Sequence, residues 1–474
     1  MTNVAVSSLN GANTTIDVDA IAALQCAVGG QVLLPGSDGY EHARTVWNAT
    51  VDKHPGLVVR CAGTADILQT VRFARRHDLL LAVRSGGHNI AGKAVADGAL
   101  LIDLSGLRSV RVDPVKKLAW VEPGATLGDF DRETQAFNLT APVGINSTTG
   151  LAGLTLGGGF GWTTRKFGMA IDNLVGAGVV TADGEFRQAS ESQSPDLFWA
   201  IRGGGGNFGV VTSFEFKLHP FGPQVLSGLI VHPFDDAPTL LREYRSFVET
   251  APDELTAWVV LRRAPALPFL PELWHGRNVM VLAVCYVGDP DEGAKALAPL
   301  RRLGKPIADV IGPNDFAGWQ QAFDPLLTPG ARNYWKSHDF NELADGALSQ
   351  LTDFAGRLPT DECEIFIANL GGAMGRVDAD ATAFGGRGAR FVLNVHTRWQ
   401  DAADDDRCIA WARDFFDATK PFASGTAYVN FLSEEDGPRL AHTYGRNFTR
   451  LAELKAKYDP DNRFRVNQNI VPAA

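Results

Sequence analysis

Three glycine clusters, and the polar side chains set among them, carry most of the chemistry this sequence can offer. The first is Arg84-Ser85-Gly86-Gly87-His88-Asn89, which follows an apolar run at 79–83. Adjacent glycines after a strand let successive backbone N–H groups converge into a nest for phosphate oxygens. A plain tight turn uses the same residues, and a histidine in a turn is most often simply exposed. The second cluster, GINSTTGLAGLTLGGGFG, has glycine at 144, 150, 153, 157, 158, 159 and 161. No amphipathic helix is expected there, because each interior glycine costs about 1 kcal/mol. A loop pressed against something flat or anionic is, since absent side chains allow close backbone approach. The third cluster, RGGGGNFG at 202–209, orders four glycines in a row. That entropic cost favours a ligand or a crowded backbone crossing over an inert connection.

The spacings exclude two common nucleotide loops. The triple glycine is not followed by the lysine of GxxxxGK[ST], and no GxGxxG heads a βαβ unit. The five cysteines, Cys26, Cys61, Cys285, Cys363 and Cys408, form no CxxC pair, so neither a zinc site, another metal centre nor a disulfide framework is expected. The net charge of -10 is spread along the chain, which argues against nucleic acid as a partner. No run approaches the roughly 18 apolar residues of a membrane span. The first residues lack a basic start followed by an apolar stretch, so no signal peptide is expected and the cytoplasm is the default location.

Elements must position these clusters. Strands are expected at 57–61, 79–83, 100–104, 118–122 and 179–181, with a helix capped by Thr64 that buries Ile67, Val71 and Ala74. After about residue 220 glycine thins and proline clusters at 265–271. Runs 279–286, 364–369 and 390–396 then read as strands of a separate sheet, with helices between them. Leu440, Tyr444, Leu451, Leu454 and Tyr458 share one face of an amphipathic helix that stops before Asp459-Pro460. At 474 residues the length suits roughly two or three domains.

Arg84-Ser85-Gly86-Gly87-His88, GLAGLTLGGGFG, Asp172-Asn173, RGGGGNFG, Tyr428-Val429-Asn430 and Asn467-Gln468-Asn469 occur in that order. Together they resemble the berberine bridge enzyme-like FAD-linked oxidases of the vanillyl-alcohol oxidase and p-cresol methylhydroxylase (PCMH-type) superfamily. The resemblance runs from about residue 40 to 472. It implies an α+β fold with a PCMH-type FAD-binding domain built from both chain ends, 1–219 and 421–474. A substrate domain with an antiparallel sheet and helices is inserted at 220–420.

The resemblance implies a role for several residues. The backbone of Arg84, Ser85, Gly86, Gly87, His88 and Asn89 would hold the FAD pyrophosphate, and His88 would bond covalently to the flavin. A neutral imidazole is a competent nucleophile for that. Many members carry a second, cysteine tether where this chain has Asn146, so a single tether is expected. Thr148 belongs to the same loop, and Thr149 falls where the family controls oxygen access. Gly153, Gly157 and Gly158 would lie along the flavin, Val211 near the adenine, and Asn467 and Asn469 near the isoalloxazine.

Tyr428 matches a tyrosine that faces substrate and is the candidate base; plain strand packing is the alternative. Its ordinary pKa of about 10 calls for a nearby cation, for which Lys336 and His338 are candidates. Phe431 and Phe160 stand where many members have tyrosines, against a paired-tyrosine mechanism. Trp162, Tyr334, Trp335 and Phe340 are candidates for an apolar pocket or for core. The implied reaction takes a hydride from a small organic substrate to flavin N5 and hands electrons to O2, giving H2O2. A flavin dehydrogenase with another acceptor and a catalytically silent flavin-binding protein remain as alternatives.

Overall fold

The computed structural model describes residues 3–474. Strands Leu57–Arg60, Leu81–Arg84 and Leu100–Asp103 pair in parallel, with Gln31–Leu33 antiparallel at the edge. Their aliphatic runs are buried, as parallel strands covered on both sides require. Helix Thr64–Arg76 packs Ile67, Val71 and Ala74 against Leu57, Val59 and Ile102. Thr64 is inside the helix and Gly63 occupies the cap, one residue earlier than the sequence suggests. No side chain caps the helix; the Asp66 carboxylate of its first turn instead ties in the preceding segments by accepting the N–H groups of Gly29, Gly30 and Ala62. A second, five-stranded antiparallel sheet contains Leu174–Val180, Val210–Lys217 and Leu118–Val121.

Residues from Gln224 to Trp399 supply all the strands of an eight-stranded antiparallel sheet. Side chains alternate between its faces. One face packs Leu255, Ala257, Val259, Ile365, Ile367 and Leu393 against four helices, Ala237–Thr250, Pro290–Arg301, Asp345–Ala355 and Asp405–Thr419. The other packs Trp258, Val260, Phe366 and Val392 against Trp162, Met169 and Ile171 of the first half. The proline-rich segment 265–271 lies in the connection between strands Leu255–Arg263 and Asn278–Tyr286.

The C-terminal apolar face is present, but not on one helix. Leu440–Tyr444 and Phe448–Tyr458 are separate helices, broken at Gly445, whose φ of +54° is left-handed. Leu440, Tyr444, Leu451, Leu454 and Tyr458 still meet in one core. The last residues are then clasped to the four-glycine cluster. Lys455 Nζ, with no exposed side-chain surface, donates to Asp459 at 2.6 Å, to the Asn207 carbonyl at 2.8 Å and to the Phe464 carbonyl at 3.1 Å. Asp459 in turn accepts the Arg463 and Phe464 N–H groups. Asn207 completes the clasp by donating to the Gln468 carbonyl and accepting the Ile470 N–H.

Removing one partner of such a pair strands a charge in the interior. Lys455→Met is expected to lower stability in urea denaturation by about 3–5 kcal/mol, and to loosen the tail against protease. A loss below about 1 kcal/mol would show that the clasp does not hold the tail.

Candidate active site

A cavity of about 340 Å³ runs between the first two glycine clusters, the C-terminal tail and the inner face of the large sheet. The loop at 84–89 and the loop at 146–150 form one end through direct backbone contact. A Cβ on Gly86 would stand 2.4 Å from the Gly150 nitrogen, and one on Gly150 would stand 2.5 Å from the Gly86 nitrogen. Only glycine permits that crossing. Beyond it, the second cluster is not wholly a loop. Leu151–Leu156 is a helix of 6 residues, with Leu151, Ala152 and Thr155 buried. The glycine penalty is escaped because the helix is short and Gly157 ends it.

The glycines divide by purpose. Gly153 and Gly206 line the cavity with nothing within 4 Å of where a Cβ would stand, so they offer a flat floor. Gly157 also lines it, but its Cβ would meet Asn430 Oδ1 at 2.2 Å. Gly158 is outside the lining and lies against Met169 and Phe384. In the third cluster Gly203 is crowded by the Phe384 backbone, while Gly205 and Gly206 face the cavity. The ligand explanation and the crossing explanation each hold for half of that run.

His88 stacks on Trp47 at 5.3 Å and reaches both threonines of the facing loop. Its Nε2 is 3.1 Å from Thr148 Oγ1 and its Nδ1 is 3.4 Å from Thr149 Oγ1. Thr148 spends its own hydroxyl proton on Asn146 Oδ1, 2.6 Å away. Its oxygen therefore accepts from Nε2–H, and the lone pair is left on Nδ1. Burial lowers the imidazole pKa to about 4, although a Thr148 backbone hydrogen bond opposes the shift. The group is uncharged at neutral pH.

Ser85, Asn89, Asn146, Thr149, Val211 and Asn467 line the same cavity. Arg84 does not: its guanidinium turns to the Ala43 carbonyl and to Asp103. Asn469 also lies outside the lining.

Tyr428 is at the cavity, edge-on to Phe160 and Phe431. Its oxygen accepts the Gly159 N–H at 3.0 Å and the Asn430 amide at 2.9 Å. Burial pushes the phenol up to about 12 despite those two donors. With both lone pairs engaged, the hydroxyl is suited to donate a proton rather than to take one. The expected cations do not reach it. Lys336 and His338 occupy alternate positions of strand Arg332–Phe340 that face the helices, not the cavity. The Lys336 ammonium is bound by Glu435 and Asp436. The His338 ring stacks on Phe416, and its Nε2 lies 3.0 Å from the Phe416 carbonyl.

Of the four aromatic candidates, Trp335 lines the cavity. Trp162 stacks on Trp258 in the core, Phe340 is core, and Tyr334 bonds to Glu435 and Arg413. Trp258, Phe366 and His396 of the lining are absent from the sequence-based candidates. Arg262, Glu364 and His396 are among several polar residues of these strands, with Thr256, Arg263, Asn369, Asn394, Thr397 and Arg398, so polarity alone does not single them out.

Family models agree with this geometry. Residues 55–190 match an FAD binding domain and residues 427–471 a berberine and berberine-like segment. An FAD-linked oxidoreductase of Dictyostelium discoideum is 32% identical over 94% of this chain and 95% of its own. The chain belongs to the berberine bridge enzyme-like FAD-linked oxidoreductases. The (R)-6-hydroxynicotine oxidase of Paenarthrobacter nicotinovorans is 29% identical over 94% of this chain and 97% of its own. Among solved structures, 6-hydroxy-D-nicotine oxidase of Arthrobacter nicotinovorans superposes with a TM-score of 0.84 at 27% identity, covering 94% of this chain and 98% of that one. Berberine bridge enzyme of Eschscholzia californica, at 23% identity over 96% of this chain and 99% of that one, shares the fold with a TM-score of 0.85. The architecture is thus the mixed helix-and-sheet PCMH type, and the protein is an FAD oxidoreductase.

The residues present fit FAD. Gly153 and Gly206 leave room for a flat ring system, and Asn467 Oδ1 is a buried acceptor with no protein partner in that wall. Ser85, Gly86 and Gly87 bring a glycine-rich backbone turn to the same cavity.

Tyr428→Phe removes the acceptor of the Gly159 N–H while keeping the ring. Its thermal melt is expected to fall by the equivalent of about 1–3 kcal/mol, with flavin content retained. An unchanged melt would mean that the two hydrogen bonds contribute nothing to the fold.

Proposed function

We propose that this protein is an oxidase that carries FAD on a single covalent bond to His88 and dehydrogenates a small organic substrate with O2 as the final acceptor. The observation that carries the reading is the half-buried, uncharged His88, oriented by Thr148 so that the lone pair sits on Nδ1, beside the Thr149 hydroxyl at 3.4 Å. FAD, when bound, would supply the hydride acceptor and, in the oxidase reading, the route for the electron pair to O2. The chain's own residues do the rest. Gly153 and Gly206 provide the floor, Trp258, Phe366 and Phe431 exclude water from the substrate end, and Tyr428 presents a hydroxyl proton there. Asn146, at the place of the second tether in many relatives, is occupied with orienting Thr148. A cytoplasmic location rests on the five unpaired cysteines, four of them buried.

Acid-precipitated protein is expected to stay yellow, and a digest to carry the FAD mass on the His88 peptide alone. A colourless pellet overturns the covalent bond, and flavin on a cysteine peptide overturns the single tether. In air, screening aromatic alcohols, amines and sugars should yield a substrate that releases one H2O2 per turnover; turnover that requires a dye instead points to a dehydrogenase.

The rate of covalent incorporation into apoprotein has a predicted pH dependence. His88 takes up a proton only near pH 4 in the folded chain, where a free imidazole would do so near 6.5. Incorporation is therefore expected to stay level as pH falls from 8 through about 6, and to drop only below that. A decline with its midpoint near 6.5 would sink the account of His88 as a neutral nucleophile.

A further inference from the structure

The register of the large sheet sets Arg262, Glu364, His396 and Trp335 side by side across four neighbouring strands. Side chains in such a row share a face, and here it is the face that lines the cavity. Arg262 donates to Glu364 Oε2 at 2.8 Å, and His396 Nδ1 lies 2.9 Å from Glu364 Oε1. The imidazole is held between Trp335, at 4.4 Å, and Phe366, at 5.6 Å, both stacked on it. Two polar atoms of this wall have no protein partner although they are buried: His396 Nε2 and Trp335 Nε1. One is an acceptor when Nδ1 carries the proton, the other a donor. A hydroxyl is the one simple group that suits either atom, giving its proton to the first or accepting from the second.

We infer that His396 Nε2 accepts the hydroxyl proton of an aromatic alcohol bound in this cavity, with Glu364 as the positioning residue that fixes the imidazole tautomer. For the hydride step alone, the inference rests on the oxidase reading. As the substrate O–H proton passes to Nε2, the carbinol C–H bond breaks, its electron pair leaves as a hydride to bound flavin, and the C=O bond forms. The proton and the hydride that leave the neutral alcohol carry opposite charges, and the imidazolium forms beside the Glu364 carboxylate, which it shares with Arg262. Burial alone would raise the Glu364 carboxyl, but Arg262, His396 and Arg398 together hold it below its usual range, so it stays ionised. Tyr428 cannot serve this role with both lone pairs engaged. The ring walls of Phe160, Trp258, Phe366 and Phe431 select a flat aromatic body.

The test uses purified holoenzyme and 4-nitrophenol, whose phenolate absorbs separately from the phenol. Wild type is expected to bind it with growth of the phenolate band. His396→Gln should weaken binding about 10–100-fold and abolish the band. Glu364→Gln should lose the band while keeping wild-type flavin content; its thermal melt falls because Arg262 loses its partner, and the retained flavin shows that the variant has folded. Binding with an undiminished phenolate band in both variants overturns the inference. Because this titration needs no turnover, peroxide release measured on the same preparation reports on the oxidase reading separately. A wild type that ionises the probe but makes no H2O2 upholds the proton acceptor and sinks the oxidase. One that makes H2O2 with His396→Gln unaltered in binding and turnover sinks the proton acceptor alone.

Discussion

The large sheet is buried on both faces, and that constraint decides what each strand position can do. On strand Leu255–Arg263 the first seven residues are all buried. Alternate residues must therefore satisfy different neighbours, four helices on one side and the first half of the chain on the other. A shift of one residue would exchange the two sets and turn Trp258, Phe366 and His396 away from the cavity. It would bring Leu261, Ile365 and Val395 there instead, and the Arg262, Glu364 and His396 row would leave the cavity side. Register thus fixes the chemistry of the substrate end before any side chain is considered individually.

The flavin end depends on a different kind of contact. Its two loops meet backbone to backbone at Gly86 and Gly150, leaving no side chain between them. Such a crossing has little apolar area to hold it, so the surroundings must. Thr126, just before helix Leu127–Gln135, caps that helix. The Thr149 carbonyl accepts the Leu127 N–H, and the Leu151 N–H donates back to the Ala125 carbonyl. On the far side, Lys455 and Asn207 pin the tail that contributes Asn467 and Gln468 to the lining. Both chain ends are needed to form one binding surface.

The same physics decides how much of this is legible in the sequence. The glycine clusters are visible because glycine is costly and seldom spent without reason, and apolar runs locate strands 364–369 and 279–286 to within a residue. The broken C-terminal helix is not legible: the 3.6-residue period survives across Gly445 because the second helix resumes on the same core. Nor is strand parity. Period two is visible only when one face meets water, and in 391–399 nearly every position is buried. That is why Lys336 and His338 look available to Tyr428 when they point to the opposite side. Arg84 misleads for a related reason, since a charged residue beside a phosphate nest is as readily a partner for Asp103.

The cavity holds two histidines whose neighbours set opposite characters. His88 is flanked by hydroxyls and an indole, with no carboxylate among its contacts. Desolvation outweighs the Thr148 hydrogen bond that favours an imidazolium and keeps the ring uncharged, which suits bond formation through a lone pair. His396 has a carboxylate at 2.9 Å, backed by a guanidinium. A proton arriving on its far nitrogen meets a carboxylate in direct contact with the ring, although that carboxylate is shared with Arg262. In each case one nitrogen is engaged, by Thr148 or by Glu364, and that engagement determines which nitrogen carries the lone pair. The same side chain therefore serves as a nucleophile at one end of the cavity and as a proton acceptor at the other, and the difference lies in a hydroxyl on one loop and a glutamate one strand away.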